Sequence, residues 1–438
     1  MKFQNFSVIL LPMMKHTKKQ SILSSFSHFL KTLGPGLSMA GAAIGVSHLV
    51  QSTRAGADFG FSLILLIIVT NLLKLPFFEI GHRYAYATGE NLLDGLHRLS
   101  PKILKIYFII NIFTGICTNA GVFLVTAGLI QTLFPYDWVS FPYSTLVFSG
   151  LLFLGLVAFI IKGEFEFFDK VMKGMMIVLS ITTLSAFIFS LAKFDVHKVY
   201  EQSGNSFLLP LSSLPFLLAL MGWMPAPIEV STWQSLWCQE KVKQLKKLKI
   251  PLNEKWAMHD FYLGYFLTIA LAIVFVVLGA MILFSKGIIL QDSALGFSTQ
   301  LIGIFTQAIG PWSKYIISIC CVTTMISTAL TCLDGYSRMF IQAQNRLGLK
   351  SWNVLHSLCL FSIPSFIILI FLSHRLKFII DFVTTMSFLC APFFSYLNLK
   401  IIGLSHVPDK FKLSPLRRRW CWLGIFFLAL ISILYILN

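Results

Sequence analysis

The chain has 438 residues, of which 56% are hydrophobic and 12% charged, with mean hydropathy +0.78. A soluble domain carries about 25% charged residues, so this composition excludes a soluble globular fold and indicates a polytopic helical membrane protein. The net charge of +17 does not indicate nucleic-acid binding. Its lysines and arginines gather beside apolar runs, as Lys241, Lys243, Lys246, Lys247, Lys249 and Lys255 do in one connection and Arg417, Arg418 and Arg419 in another. That is the pattern of cytoplasmic loops.

Apolar runs predict eleven membrane helices, at 35–57, 61–87, 104–132, 142–162, 168–192, 209–238, 259–285, 311–342, 353–373, 376–402 and 419–437. With the basic clusters placed inside, the N-terminus is expected in the cytoplasm and the C-terminus on the outer face, as in a bacterial inner-membrane protein. Residues 1–33 then form a cytoplasmic tail. Its apolar run 8–14 is short and is followed by Lys15, Lys18 and Lys19, which is no signal peptide. The eight cysteines lie within or at the ends of apolar spans and include no CxxC pair, so neither disulfides nor a thiolate zinc site are expected.

Two spans are interrupted. The first opens with Gly34-Pro35-Gly36 and carries Gly45-Val46-Ser47-His48 in its middle. The sixth contains Met224-Pro225-Ala226-Pro227, where two prolines remove backbone donors and forbid a regular helix. Paired broken helices at corresponding places in two halves are the sequence mark of a transporter substrate site.

With these residues the chain resembles the Nramp family of divalent-metal transporters. The resemblance covers residues 30–400. In that family a Gly-Pro-Gly is followed by eight residues, an Asp-Pro-Gly-Asn break, six more residues and Ala-Gly-Ala. Here Gly34-Pro35-Gly36, residues 37–44, the break 45–48 and Ala55-Gly56-Ala57 keep that spacing. Arg83 with Thr88-Gly89, Met224-Pro225, and the run Ser327-Thr328-Ala329-Leu330-Thr331 with Gly335 also match. The resemblance implies an all-α LeuT-type fold of two inverted five-helix repeats, 34–192 and 209–402, plus an additional helix at 419–437. It also implies secondary-active transport of a divalent metal cation by alternating access. The metal is then the substrate, no tightly bound cofactor is implied, and the partners are the metal ion and the lipid bilayer.

Carried over residue by residue, the resemblance puts the family's metal-binding Asp at Gly45, its Asn at His48, its Met at Met224 and its liganding carbonyl at Met221. The family's second-break His and Asn become Ala226 and Pro227. The acidic residues of its third helix have no counterpart, since nothing between Lys105 and Asp137 is acidic, so a pH gradient is expected to drive little transport. Imidazole and thioether donors suit Fe, Co, Ni, Cu or Zn rather than Ca or Mg. A divalent ion at membrane depth also needs negative charge, for which Glu229 and Asp381 are the nearest candidates. Ser47, Gln51 and Thr384 offer further oxygens. Glu79, His82 and Arg83 form a candidate gate or ion-pair group, with Asp381 as a second candidate of that kind, and Asp334 and Arg338 are spaced to pair with each other. The alternative substrate is an amino acid or another small organic solute, whose carboxylate would face the half-helix N-termini. A sensor or scaffold ranks lower, and an enzyme is not expected, since no nucleophile–base constellation is found.

Overall fold

The computed structural model describes residues 34–139, 141–162, 165–193, 211–250 and 253–437. The expected tail 1–33 and most of the connection 193–208 lie outside the described residues. The described residues are helical, without strands. The first span comprises α1 (Pro35–Ala43), a π-helical turn (Ser47–Ser52) and α2 (Thr53–Phe59). After it come α3 (Ile64–Thr88), α4 (Leu92–Leu99), α5 (Pro101–Gln131), α6 (Tyr136–Val139), α7 (Ser144–Lys162) and α8 (Phe165–Lys193). The sixth span is divided into α9 (Leu214–Gly222) and α10 (Val230–Lys247). The remaining helices are α11 (Glu254–Ile282), α12 (Ala294–Ile309), α13 (Lys314–Arg346), α14 (Val354–Leu372), α15 (Leu376–Ile401) and α16 (Pro415–Leu437).

Eight of these helices are long and apolar enough to cross a membrane unbroken, and the two interrupted spans and α8 complete the predicted eleven. The turn at Arg375 between the ninth and tenth spans is present, with Arg375 as the N-cap of α15. The sequence reading did not include α12. It lies between the seventh and eighth spans and is shorter than a membrane crossing requires.

Packing follows a five-span repeat. The first span packs on the seventh (α1 and α2 on α11), and the sixth packs on the second (α10 on α3), which are the same pairing shifted by five. The third and eighth spans (α5, α13) pack on each other, and the fifth-with-eighth contact (α8, α13) is mirrored by tenth-with-third (α15, α5). By contrast, most of the surface of α7, α14 and α16 points outward, as expected of lipid-facing helices.

Small residues bring the broken first span close to its partner. A Cβ added at Gly56 would lie 2.0 Å from the Val276 carbonyl oxygen, and one at Gly279 would lie 2.4 Å from that of Thr53. Close backbone approach of this kind is what small residues provide between membrane helices. The amino end of α1 is held by the Asp260 carboxylate, which accepts from the Gly34 and Gly36 N–H groups at 3.2 and 2.7 Å. Acceptance by a carboxylate satisfies donors that have no partner in the helix and suits the positive end of the helix dipole.

Candidate functional site

The first interruption begins where Ile44 leaves the helical region (φ −80, ψ 81), and the chain re-enters helix as a π-turn at Ser47. Gly45 is glycine for lack of room: a Cβ there would lie 2.6 Å from both Cγ2 and Oγ1 of Thr328. The Thr328 hydroxyl lies 3.3 Å from the carbonyls of both Gly41 and Ile44, tying α13 to the end of α1. At the position where the resemblance leads one to expect a carboxylate, the space is filled by a threonine reaching in from the eighth span.

His48 is fully buried and does not line the cavity between the two interruptions. Its Nε2 lies 2.8 Å from the Thr268 carbonyl of α11, an acceptor that calls for an N–H there. Nδ1 lies 2.8 Å from the Ser47 hydroxyl and 3.0 Å from the Ala43 carbonyl. Both ring nitrogens are therefore engaged between the first and seventh spans. In this state His48 joins the first and seventh spans, and its ring nitrogens, expected as a metal ligand, face protein atoms.

At the second interruption α9 stops at Gly222 and α10 starts at Val230. Pro225 and Pro227 lack N–H groups, and carbonyls along the segment have lost their helical donors. Lys74 of α3 fills that role. Its fully buried ammonium lies 2.8 Å from the carbonyl oxygens of Met221 and Gly222, 3.0 Å from that of Met224 and 3.2 Å from that of Ala226. The Met221 carbonyl, expected as a substrate ligand, is therefore occupied by a protein cation. Met224 turns its side chain into an apolar cluster with Ala55, Leu63, Ile67, Leu220, Ala272 and Val276, and does not line the cavity.

Glu229 occupies the N-cap position of α10 but makes no side-chain cap. It is 1% exposed, accepts from the Tyr336 hydroxyl at 3.4 Å through Oε1, and has no hydrogen-bond partner on Oε2 among the described residues. Its charge acts on Lys74.

A cavity of about 20 Å³ lies between the two interruptions. That volume holds one water molecule or a bare ion. Its polar lining comes from Ser47, Thr118, Thr328, Cys332 and Trp233, together with the segment 225–227. Of the residues picked out from sequence as ligands, Ser47 alone lines it, while Gly45, His48, Met221, Met224, Glu229 and Thr384 do not. Among the described residues no group of three or more His, Cys, Asp or Glu side chains is placed to hold a metal.

Thr384 and Asp381 belong to a different cluster, on one side of the first interruption. The Arg54 guanidinium donates to both Asp381 oxygens, at 2.6 and 2.9 Å, and to the Gln51 side-chain Oε1 at 2.9 Å. Gln51 in turn donates to Asp381 and Thr384 at 3.1 and 3.3 Å. This bidentate pair fastens the first span to the tenth. Asp381 is thereby an ion-pair residue and is not available as a metal ligand in this state.

Near the far end of α3, Glu79 accepts from Arg83 at 2.5 Å and from Arg417 at 2.6 Å, and Arg83 also lies 3.9 Å from Glu254. His82 takes no part in that network. Its Nδ1 lies 3.1 Å from the Cys238 thiol and 3.3 Å from the Gln234 amide on α10. Asp334 and Arg338 pair at 2.6 Å along α13, as their spacing predicts. Neither Lys74 nor Arg54 was singled out from sequence. The signal was present, for Lys74 is an ionisable residue deep inside an apolar span, where charge is costly enough to imply a role.

Comparison with known proteins places this architecture. A structure of the Eremococcus coleocola manganese transporter, in complex with an aromatic bis-isothiourea compound, superposes with a TM-score of 0.73 at 13% identity, covering 94% of this chain and 87% of that one. MhsT in complex with L-phenylalanine gives a TM-score of 0.64 at 14% identity, covering 92% and 97%. At those identities the likeness is one of fold, the LeuT-type fold of two inverted five-helix repeats with an eleventh helix. An uncharacterized protein of Pasteurella multocida strain Pm70 is 32% identical over 411 residues, 92% of this chain and 91% of its own length. The divalent metal cation transporter MntH of Staphylococcus aureus strain JH9 is 28% identical over 167 residues, 38% of this chain and 35% of that protein. The family model described as natural resistance-associated macrophage protein-like matches residues 36–438. The chain belongs to the Nramp family, a family of membrane transporters rather than enzymes.

Proposed function

We propose that this protein is a secondary-active transporter that moves a divalent metal cation by alternating access, holding the ion between the interruptions of its first and sixth spans. The observation that carries this reading is the cavity between those interruptions, which is ion-sized at about 20 Å³. Relatives described as divalent metal cation and manganese transporters support the substrate class.

In this reading the ligands are oxygens of Ser47, Thr118 and Thr328, a carbonyl of the segment 225–227 and the thiol of Cys332. The set is largely oxygen with one sulfur, which suits Mn, Fe or Zn better than a purely soft metal. Glu229 adjoins the lining residue Val230, and its charge is shared with the Lys74 ammonium. The two networks at Arg54–Asp381 and Glu79–Arg83–Arg417 act as ties on opposite sides of the site, which break alternately as access switches. The repeats span 34–192 and 209–402, with 419–437 outside them. The basic connections lie in the cytoplasm, which puts the N-terminus inside and the C-terminus outside.

The alternative substrate, an amino acid or a small organic solute, does not fit a cavity of this size in the present state. Uptake by proteoliposomes separates the two. Saturable accumulation of at least one of Mn²⁺, Fe²⁺, Co²⁺ or Zn²⁺ is expected, with little drive from a pH gradient because the third span lacks acidic residues. Accumulation of amino acids with no uptake of any divalent ion would overturn the assignment.

A further inference from the structure

We propose that the carbonyl cage at the second interruption is a monovalent-cation site whose occupant is built into the chain as the Lys74 ammonium. Four carbonyl oxygens surround an ammonium that has three N–H bonds, at 2.8, 2.8, 3.0 and 3.2 Å. Acceptors in excess of donors make an arrangement closer to ion coordination than to a set of directed hydrogen bonds. The distances are too long for calcium, which takes oxygens at about 2.3–2.6 Å, or for magnesium at about 2.0–2.1 Å. They suit a potassium-sized ion, which has nearly the radius of ammonium and which rings of backbone carbonyls hold in place of water.

The cage belongs to the scaffold. Its oxygens come from the end of α9 and the proline-broken segment, and α9 is pressed against α15 so closely that a Cβ at Gly222 would meet the Thr384 carbonyl oxygen at 2.0 Å. Lys74 projects from a regular helix and is fully buried. Glu229, at the start of α10, is the acidic residue whose charge reaches it. A cation this deep in a membrane protein needs such a partner and such dipoles. The chain thus supplies covalently what a free monovalent ion would otherwise supply. It keeps the Met221 carbonyl from the transported ion, which is left to the cavity lined by Ser47 and Thr328. The inference concerns ion binding and holds whichever solute is carried.

The test is thermal unfolding of the full-length protein in detergent, with choline chloride holding ionic strength constant. Lys74→Ala leaves the cage empty. Its melting temperature is expected to fall in choline and to rise saturably with KCl, NH₄Cl or methylammonium chloride, while wild type shows no such rise. Equal behaviour of the variant in choline and in all three small cations, or the same rise in wild type, would overturn the proposal. Should Lys74→Ala yield no folded protein in any salt, Lys74→Gln decides. A wild-type melting temperature would show that a neutral donor suffices and would overturn the proposal, whereas a lowered one that rises saturably with KCl or NH₄Cl supports it. The readout is stability in detergent, so failure of metal uptake leaves this test untouched.

Discussion

Gly45→Asp, which introduces a carboxylate at the first interruption, is expected to lower the melting temperature sharply, and Gly45→Asp combined with Thr328→Ala is expected to recover part of the loss. The reason is space. The new Cβ would sit 2.6 Å from two atoms of a β-branched threonine that has little rotamer freedom. Overpacking of that kind costs about 1–3 kcal/mol, and burying the carboxylate without a partner adds to it. Thr328→Ala removes the obstructing atoms. It also gives up the single hydroxyl proton that the carbonyls of Gly41, Ile44 and Thr324 share at 3.2–3.3 Å, which at that length contributes at most about 1 kcal/mol in all. Relief of the clash outweighs that loss. The paired variant then presents a hard oxygen anion beside the cavity, so Mn²⁺ should raise its melting temperature more than it raises that of wild type. A single variant as stable as wild type would mean that Thr328 does not exclude the carboxylate.

Glu79→Gln is the second large effect. The carboxylate is 4% exposed and neutralises two guanidinium groups, Arg83 from its own helix and Arg417 from the start of α16. Removing the shared partner of buried charges costs about 3–5 kcal/mol. Arg417 is 40% exposed, so solvent screens its share and the lower part of that range is expected. Adding Arg417→Gln should restore at least about 1 kcal/mol, because one of the two uncompensated charges goes with it. The measurement is a double-mutant cycle on unfolding midpoints in detergent. Additive losses would show that Glu79 and Arg417 do not act as a pair. On the transport reading the same variant loosens one tie, so it should also make Cys238, buried on α10 beside His82, more reactive to thiol reagents.

The sequence made the frame legible and the site much less so. Spans were readable because hydropathy depends on composition, and the breaks because glycine and proline act locally on the backbone. The pairs Glu79–Arg83 and Asp334–Arg338 were readable because i,i+4 neighbours meet on any regular helix. His48 and Met224 were correctly placed within or beside the interruptions, yet their side chains point elsewhere. A π-helical turn changes the rotation per residue, so helix periodicity no longer says which way a side chain after Gly45 faces. Asp381 looked like a spare carboxylate because its partner, Arg54, lies 327 residues away. Lys74 was overlooked for a similar reason: its four acceptors are backbone atoms about 150 residues distant, and carbonyls have no sequence signature. The amphipathic helix α12 escaped because it does not cross the membrane.

The central claim is that the transported ion sits between the two interruptions, away from the Lys74 cage. Anomalous diffraction at the manganese edge from crystals of the full-length protein soaked in Mn²⁺ tests it directly. A peak is predicted within coordination distance of the Ser47 and Thr328 hydroxyls and of a carbonyl in the segment 225–227. A peak at Asp381, a peak inside the Lys74 cage, or none at saturating Mn²⁺ would contradict it.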